Sequence, residues 1–276
     1  MSNTRRVLPR ALAASTFTAL GVLLLTAAAP SAHAETAWAV DSRALLMSFD
    51  TQLPGFVRSL RLIQGLQPGE GILAIDFRPA NKKLYGLGSS SRIYVIDTET
   101  GMATAVGAGP FTPALNGIEF GFDFNPTVDR IRVTSDRGQN LRLHPDTGMV
   151  AATDMALNYE DAGEPGVVAS AYTNSVAGAT STTLYNLDAK RKALVTQAPP
   201  NDGKLNMVGA LTGLDPSMVA GFDISPVSGR GYVAVRLNNA AKAMLYEVHL
   251  STGDYNPLGE IGIFEQVSGL AIEPAR

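Results

Sequence analysis

Residues 72–107, ILAIDFRPANKKLYGLGSSSRIYVIDTETGMATAVG, and residues 118–154, IEFGFDFNPTVDRIRVTSDRGQNLRLHPDTGMVAATD, match element for element. Each holds an apolar run closed by Arg-Pro or Asn-Pro, a second short run such as KLYGLG or RIRVTS, a third such as RIYVID, a Thr-Gly turn and a fourth such as ATAVG. Short runs rich in Val, Ile, Leu and Tyr and bounded by Gly, Pro and Asp spell β-strands, so one copy is four strands long. The stretch from 218 to 259 follows the same plan with a longer middle loop. A degenerate copy, VVASAYTNSVAGATSTTLYNLDAKRKALVTQ, opens at Val167.

Taking Asp76, Asp123, Tyr172, Asp223 and Ala271 as equivalent positions gives steps of 47, 49, 51 and 48 residues, the period of four-stranded propeller blades. The chain ends on VSGLAIEPAR, only the first strand of a copy, while TAWAVD and ALLMSFD near its start supply later strands. Joined, they complete one blade. The expected fold is therefore all-β: a five-bladed β-propeller closed by pairing of the N- and C-terminal strands. An open solenoid would instead end in polar capping repeats.

Residues 1–34 are of a different kind. Arg5, Arg6 and Arg10 precede the apolar run ALAASTFTALGVLLLTAAA, and Ala32-His33-Ala34 follows as a cleavage pattern. They read as an N-terminal signal peptide, leaving residues 35–276 as the propeller domain; an uncleaved anchor is the alternative for a run of that length. The protein is expected to be exported, to a periplasmic or extracellular site. Thr4-Arg5-Arg6 loosely resembles a twin-arginine start, with Pro9 where an apolar residue is wanted, so the route stays open.

Removing residues 1–34 takes three Arg and no acid, which leaves 19 Lys and Arg against 25 Asp and Glu, a net charge of −6. A mildly acidic protein lacks the basic patch that nucleic acid or an anionic membrane rewards, so neither is an expected partner. With no Cys, there is no disulfide, thiolate nucleophile or Cys-ligated zinc. Ser-x-x-Lys, G-x-S-x-G, HExxH, Walker and dinucleotide patterns are absent too, so no familiar catalytic constellation is available.

The repeat supplies an internal control on the polar residues. His144 and His249 stand where Asp97, Asp188 and Asp50 stand in other copies, each closing a strand before a turn, which suits a local backbone-capping role. DRGQN, 136–140, lacks the oxygen alternation and distal Glu of a calcium loop and reads as a turn. Asp76, Asp123 and Asp223 are harder to place. They fall in the innermost strand of three blades, where carboxylates converge on one axis. Like charges so placed raise one another's pKa unless donors or a cation intervene. Each either caps backbone N–H groups of its own or the neighbouring blade, or the three hold a hard cation such as Ca²⁺. Tyr172 and Ala271 show that the position tolerates neutral residues. The irregular copy that opens at Val167, with its AYTNS and PPNDG segments, is the candidate binding face, carried by Tyr172, Asn174, Asn201 and Asp202.

LAIDFRPANKKLYGLG, FGFDFNPTVDRIRVTSDRGQNLRLHPDTG, AYTNSVAGATSTTLYNLD and QAPPNDGKLNMVG together resemble the secreted bacterial family of domain of unknown function 4394, over about Trp38 to Glu273. The resemblance implies a propeller-like β fold and an exported protein, but no activity and no catalytic residues. His144 departs from it, Asn being the usual occupant. The expected function is a monomeric binding or scaffolding module for a protein, glycan or small-molecule ligand. The alternative is a divalent-metal-assisted hydrolase, lactonase-like or phosphoesterase-like, built on the three Asp.

Overall fold

Runs such as ILAIDF and FGFDFN bury almost every side chain, because an inner strand has a neighbouring sheet on both of its faces. The structure, a computed structural model, describes residues 1–2, 34–214, 220–237 and 240–275. The expected export signal, apart from its first two residues and Ala34, lies outside the described residues.

The strands form five antiparallel four-stranded sheets. β1 (Thr36–Val40), β2 (Leu45–Asp50) and β3 (Leu53–Leu62) belong to blade 1. Blade 2 is β4 (Ile72–Phe77), β5 (Leu84–Gly88), β6 (Arg92–Ile96) and β7 (Ala103–Val106); blade 3 is β8 (Phe120–Asn125), β9 (Arg130–Ser135), β10 (Asn140–Leu143) and β11 (Val150–Thr153). Blade 4 is β12 (Val167–Tyr172), β13 (Leu184–Asp188), β14 (Ala193–Gln197) and β15 (Leu205–Ala210); blade 5 is β16 (Ala220–Ile224), β17 (Gly231–Val235), β18 (Met244–Val248) and β19 (Tyr255–Glu260). β20 (Gly269–Ile272) returns to pair antiparallel with β1, Trp38 opposite Ala271, and completes blade 1. Each inner strand packs on the next, β4 on β8, β8 on β12, β12 on β16, β16 on β20 and β20 on β4, so the ring is closed. The five-bladed propeller joined through the two ends of the chain is the observed architecture.

The blades pack through apolar layers. Trp38, Leu46, Ile75, Phe77 and Tyr94 fill the space between blades 1 and 2, while Leu87, Phe111, Phe122, Phe124 and Val133 fill that between blades 2 and 3. Blades 4 and 5 meet through Leu187, Leu194, Phe222 and Val233, and blades 5 and 1 through Phe49, Ala234, Leu245 and Phe264. Near the axis the backbones approach closely. A Cβ on Gly269 would lie 2.7 Å from the Ile75 nitrogen, and one on Gly221 would lie 2.6 Å from the Leu270 nitrogen. Gly121, Gly221 and Gly269, with Ala74 and Ser170, all stand two residues before the aligned Asp76, Asp123, Tyr172, Asp223 and Ala271. That ring of small residues is what allows five strands to meet.

One part of the repeat alignment is corrected. The sequence places Asp188 at the close of the third strand of its copy; in the fold it ends β13, the second, and Gln197 ends the third. Blade 4 is complete rather than degenerate. Its first connection, residues 173–183, is longer than those of its neighbours and displaces every later strand, while LYNLD imitates a third strand such as IYVID. Three of the other strand-closing residues cap the backbone as expected: Asp97 Oδ1 accepts from Glu99 N at 2.9 Å, Asp50 Oδ1 from Gln52 N at 2.8 Å and His144 Nδ1 from Asp146 N at 3.2 Å, while the His249 ring instead meets Asn256 Nδ2, 3.2 Å from its Nε2. DRGQN is a turn, with Ser135 Oγ accepting from Arg137 N and Gln139 N.

Candidate metal centre on the channel axis

Asp76, Asp123 and Asp223 sit late in β4, β8 and β16, and each is almost wholly buried. Alternation along these strands turns them toward the next blade, on the side of Ala74, while Ile75 and Phe77 pack on the previous one. Asp76 Oδ1 accepts from Phe77 N at 2.6 Å and Oδ2 from Phe124 N, in β8, at 2.9 Å. Asp223 repeats the pattern: Oδ1 accepts from Ile224 N at 2.6 Å and Oδ2 from Ile272 N, in β20, at 2.5 Å. Asp123 accepts from the backbone N–H of Tyr172, in β12. The three carboxylates thus staple three of the five joints between inner strands, the backbone-capping role the repeat suggests.

Capping leaves something over. Asp123 Oδ1 is buried with no hydrogen-bond partner, and one carboxylate oxygen from each of the three Asp lies within 4.8 Å of the others. Burial pushes the Asp76 and Asp123 carboxyls well above the usual carboxylate range, and the neighbouring carboxylates push the same way. Burial also pushes Asp223 up to about 7 against the pull of its two backbone donors. The donors are hard, anionic oxygens. Oxygens bound to one Ca²⁺ at about 2.3–2.6 Å lie up to roughly 5 Å apart, so the spread of the cluster suits a single Ca²⁺ coordination sphere. The residues present therefore fit a hard divalent cation. The adjoining cavity, lined by Asp76, Asp223, Ser175 and prolines, offers about 10 Å³ to the centre of a water molecule, room for about one.

The four binding-loop residues fall at the same end of blade 4, because its first and third connections leave the sheet on one side. Tyr172, however, is buried, and its hydroxyl lies 3.4 Å from Arg132 Nε. Asn201 is exposed, yet its Oδ1 accepts from Arg132 Nη2 at 2.8 Å, so Arg132 brings these two together. Asn174, at φ 55°, ties its own loop by donating to Ser181 O at 3.0 Å. Asp202 closes a short 3-10 turn, Pro200–Asp202, and its carboxylate is exposed.

Arg132 is the centre of a buried polar layer between blades 3 and 4 that sequence reasoning missed. Its Nη1 donates to Asn140 Oδ1 at 2.7 Å and to Asp154 Oδ2 at 2.6 Å. The chain of bonds continues from Asn140 through Gln197 and Asn186 to Ser170 and Thr134. Alternation sets Arg132 with Arg130 and Thr134 on the face of RIRVTS opposite Ile131 and Val133, a face that reads as solvated. The trace it leaves is in the repeat: Tyr85 and Tyr232 stand nine residues after Asp76 and Asp223, where Arg132 stands nine after Asp123.

These features define a five-bladed β-propeller with an acidic cluster on its axis. A family model, the domain of unknown function DUF4394, matches residues 45–271, and the chain belongs to that family. No curated protein matches the chain. Among solved structures, a structural-genomics protein of unknown function from Bacteroides thetaiotaomicron is similar at 15% identity and a TM-score of 0.54, covering 89% of this chain and 68% of that one. At that identity the likeness is one of fold. A glutaminyl cyclase from Myxococcus xanthus aligns at 9% identity and a TM-score of 0.48 over 88% of this chain and 97% of that one, which lends nothing to a reading of function.

Proposed function

We propose that the protein is an exported, monomeric binding or scaffolding propeller whose ring is held together by a Ca²⁺ ion among Asp76, Asp123 and Asp223. The observation that carries the cation is the buried Asp123 Oδ1, which has no hydrogen-bond partner, in a carboxylate that offers an oxygen within 4.8 Å of one from each of Asp76 and Asp223. An isolated buried carboxylate oxygen is costly, and a bound cation turns that cost into ligation. Ligands, whether protein, glycan or small molecule, are taken by the loops above the ion, those of Asn174, Asn201 and Asp202. Sites in extracellular modules work at dissociation constants of about 10⁻⁴–10⁻³ M, so an exported protein needs only modest affinity.

The cavity beside the carboxylates favours binding over hydrolysis, since a catalytic metal needs an open position that substrate can reach and this one holds about one water. The test is elemental analysis and calorimetry of residues 35–276 purified without chelator, followed by ligand arrays. About one Ca²⁺ per chain, lost in Asp123→Asn, is the expected result. No bound divalent ion in the wild type would end the cation reading. Turnover of a lactone or phosphoester that Asp123→Asn abolishes would replace binding by hydrolysis.

A further inference from the structure

Four of the five blades carry proline three residues after the aligned position: Pro79, Pro126, Pro226 and Pro274. Blade 4 carries Ser175 instead. Pro79, Pro226 and Pro274 wall the small cavity beside Asp76 and Asp223, and Ser175 lines the same cavity. The repeat thus puts a hydroxyl where its other copies put an apolar ring. Blade 4 is also one of the two blades without an Asp at the aligned position, Tyr172 standing there.

Ser175 Oγ is the second buried side-chain atom, with Asp123 Oδ1, that has no hydrogen-bond partner among the described residues. Ser175 is only 9% exposed. Its backbone is held tightly: Val176 N donates to Asn174 O at 2.6 Å, a γ-turn centred on Ser175. Thr173 N bonds Thr183 O at 3.0 Å, and Thr183 N bonds Thr173 Oγ1 at 2.8 Å, so the loop is pinned at its base. A serine hydroxyl that points at solvent costs nothing, whereas one buried beside two carboxylates without a bond is held there by the loop rather than by its own contacts.

We infer that Ser175 is a fourth protein ligand of the axial cation, a neutral hydroxyl oxygen beside three carboxylates, and that residues 173–183 form the cap over that ion. The inference deepens the proposed function and rests on its cation. It makes blade 4 a partner in the site through its loop in place of an inner-strand Asp, and it couples cation binding to the order of a loop on the ligand-binding face.

The test compares wild type with Ser175→Ala, each as residues 35–276, in Ca²⁺ calorimetry and in ion-free thermal unfolding. Ala removes an oxygen that has no protein partner, so the ion-free midpoint should be unchanged or higher. Ca²⁺ affinity should fall on the order of tenfold, and Ca²⁺ should slow hydrogen exchange in residues 173–183 of the wild type more than of the variant. Equal affinity in the two proteins would overturn the role of Ser175 while leaving the carboxylate site standing. A lower ion-free midpoint in Ser175→Ala would show a structural bond and also overturn it. A wild type that binds no Ca²⁺ would remove the cation itself, a failure distinct from the other two.

Discussion

Asp123 and Asp76 occupy the same place in successive blades but should respond to mutation in opposite ways. Asp76 holds two backbone N–H groups, of Phe77 and Phe124; Asp76→Ala leaves both buried without an acceptor and should cost about 2–4 kcal/mol in denaturant unfolding. Asp123 spends one oxygen on Tyr172 N and leaves the other unpartnered. Asp123→Asn should therefore leave the ion-free protein as stable or more stable while abolishing its response to Ca²⁺. The pH dependence has a definite sign. An unfolded Asp ionises near pH 3.9, while burial keeps Asp223 protonated up to about pH 7 and raises Asp76 and Asp123 as well. As pH climbs from about 4 to 7 the folded state binds more protons than the unfolded state, so ion-free stability falls across that window. Glu119, pushed to about 7 by burial and then by Asp136, adds to the fall from outside the cluster. Glu119→Gln should remove that share, seen as a flatter plot of midpoint against pH. The three Asp were legible in the sequence because the repeat aligned them in AIDF, GFDF and GFDI. Ser175 and Arg132 left only a departure from the repeat, a hydroxyl in place of Pro and a charge in place of Tyr; their roles were hidden because they depend on loop course and cross-blade contact.

Strands were the most legible elements, because short apolar runs punctuated by Pro, Gly and Asp leave little choice of period. What failed was the count of strands within blade 4, where residues 173–183 lengthen one connection and shift the rest by a strand. The close approach of the inner strands was hidden for another reason: Gly121, Gly221 and Gly269 read as ordinary strand glycines until the ring is closed. Gly269→Ala would drive a methyl against the backbone of Ala74 and Ile75, and should cost about 1–3 kcal/mol, measured by urea unfolding. The polar layer between blades 3 and 4 can be probed with Arg132→Leu. Arg142 retains Asp154, but Asn140 and Asn201 each lose a donor, and a loss of about 3 kcal/mol is expected.

The whole molecule is a ring closed twice over, and both closures involve the chain ends. β20 pairs with β1, and the buried Glu35 carboxylate accepts hydrogen bonds from Ser225, Ser228 and Tyr232 of blade 5. Carboxylates of three blades then meet at the axis, where a single cation ties together strands far apart in sequence. Thermal unfolding of residues 35–276, stripped with chelator and titrated with Ca²⁺, Mg²⁺, Mn²⁺ and Zn²⁺, tests that claim most directly. Ca²⁺ at 100 times its dissociation constant should add about 2.7 kcal/mol and raise the midpoint by roughly 5–10 °C, with Asp123→Asn showing no rise. A midpoint that no ion moves would contradict the account and leave Asp76, Asp123 and Asp223 as backbone staples alone.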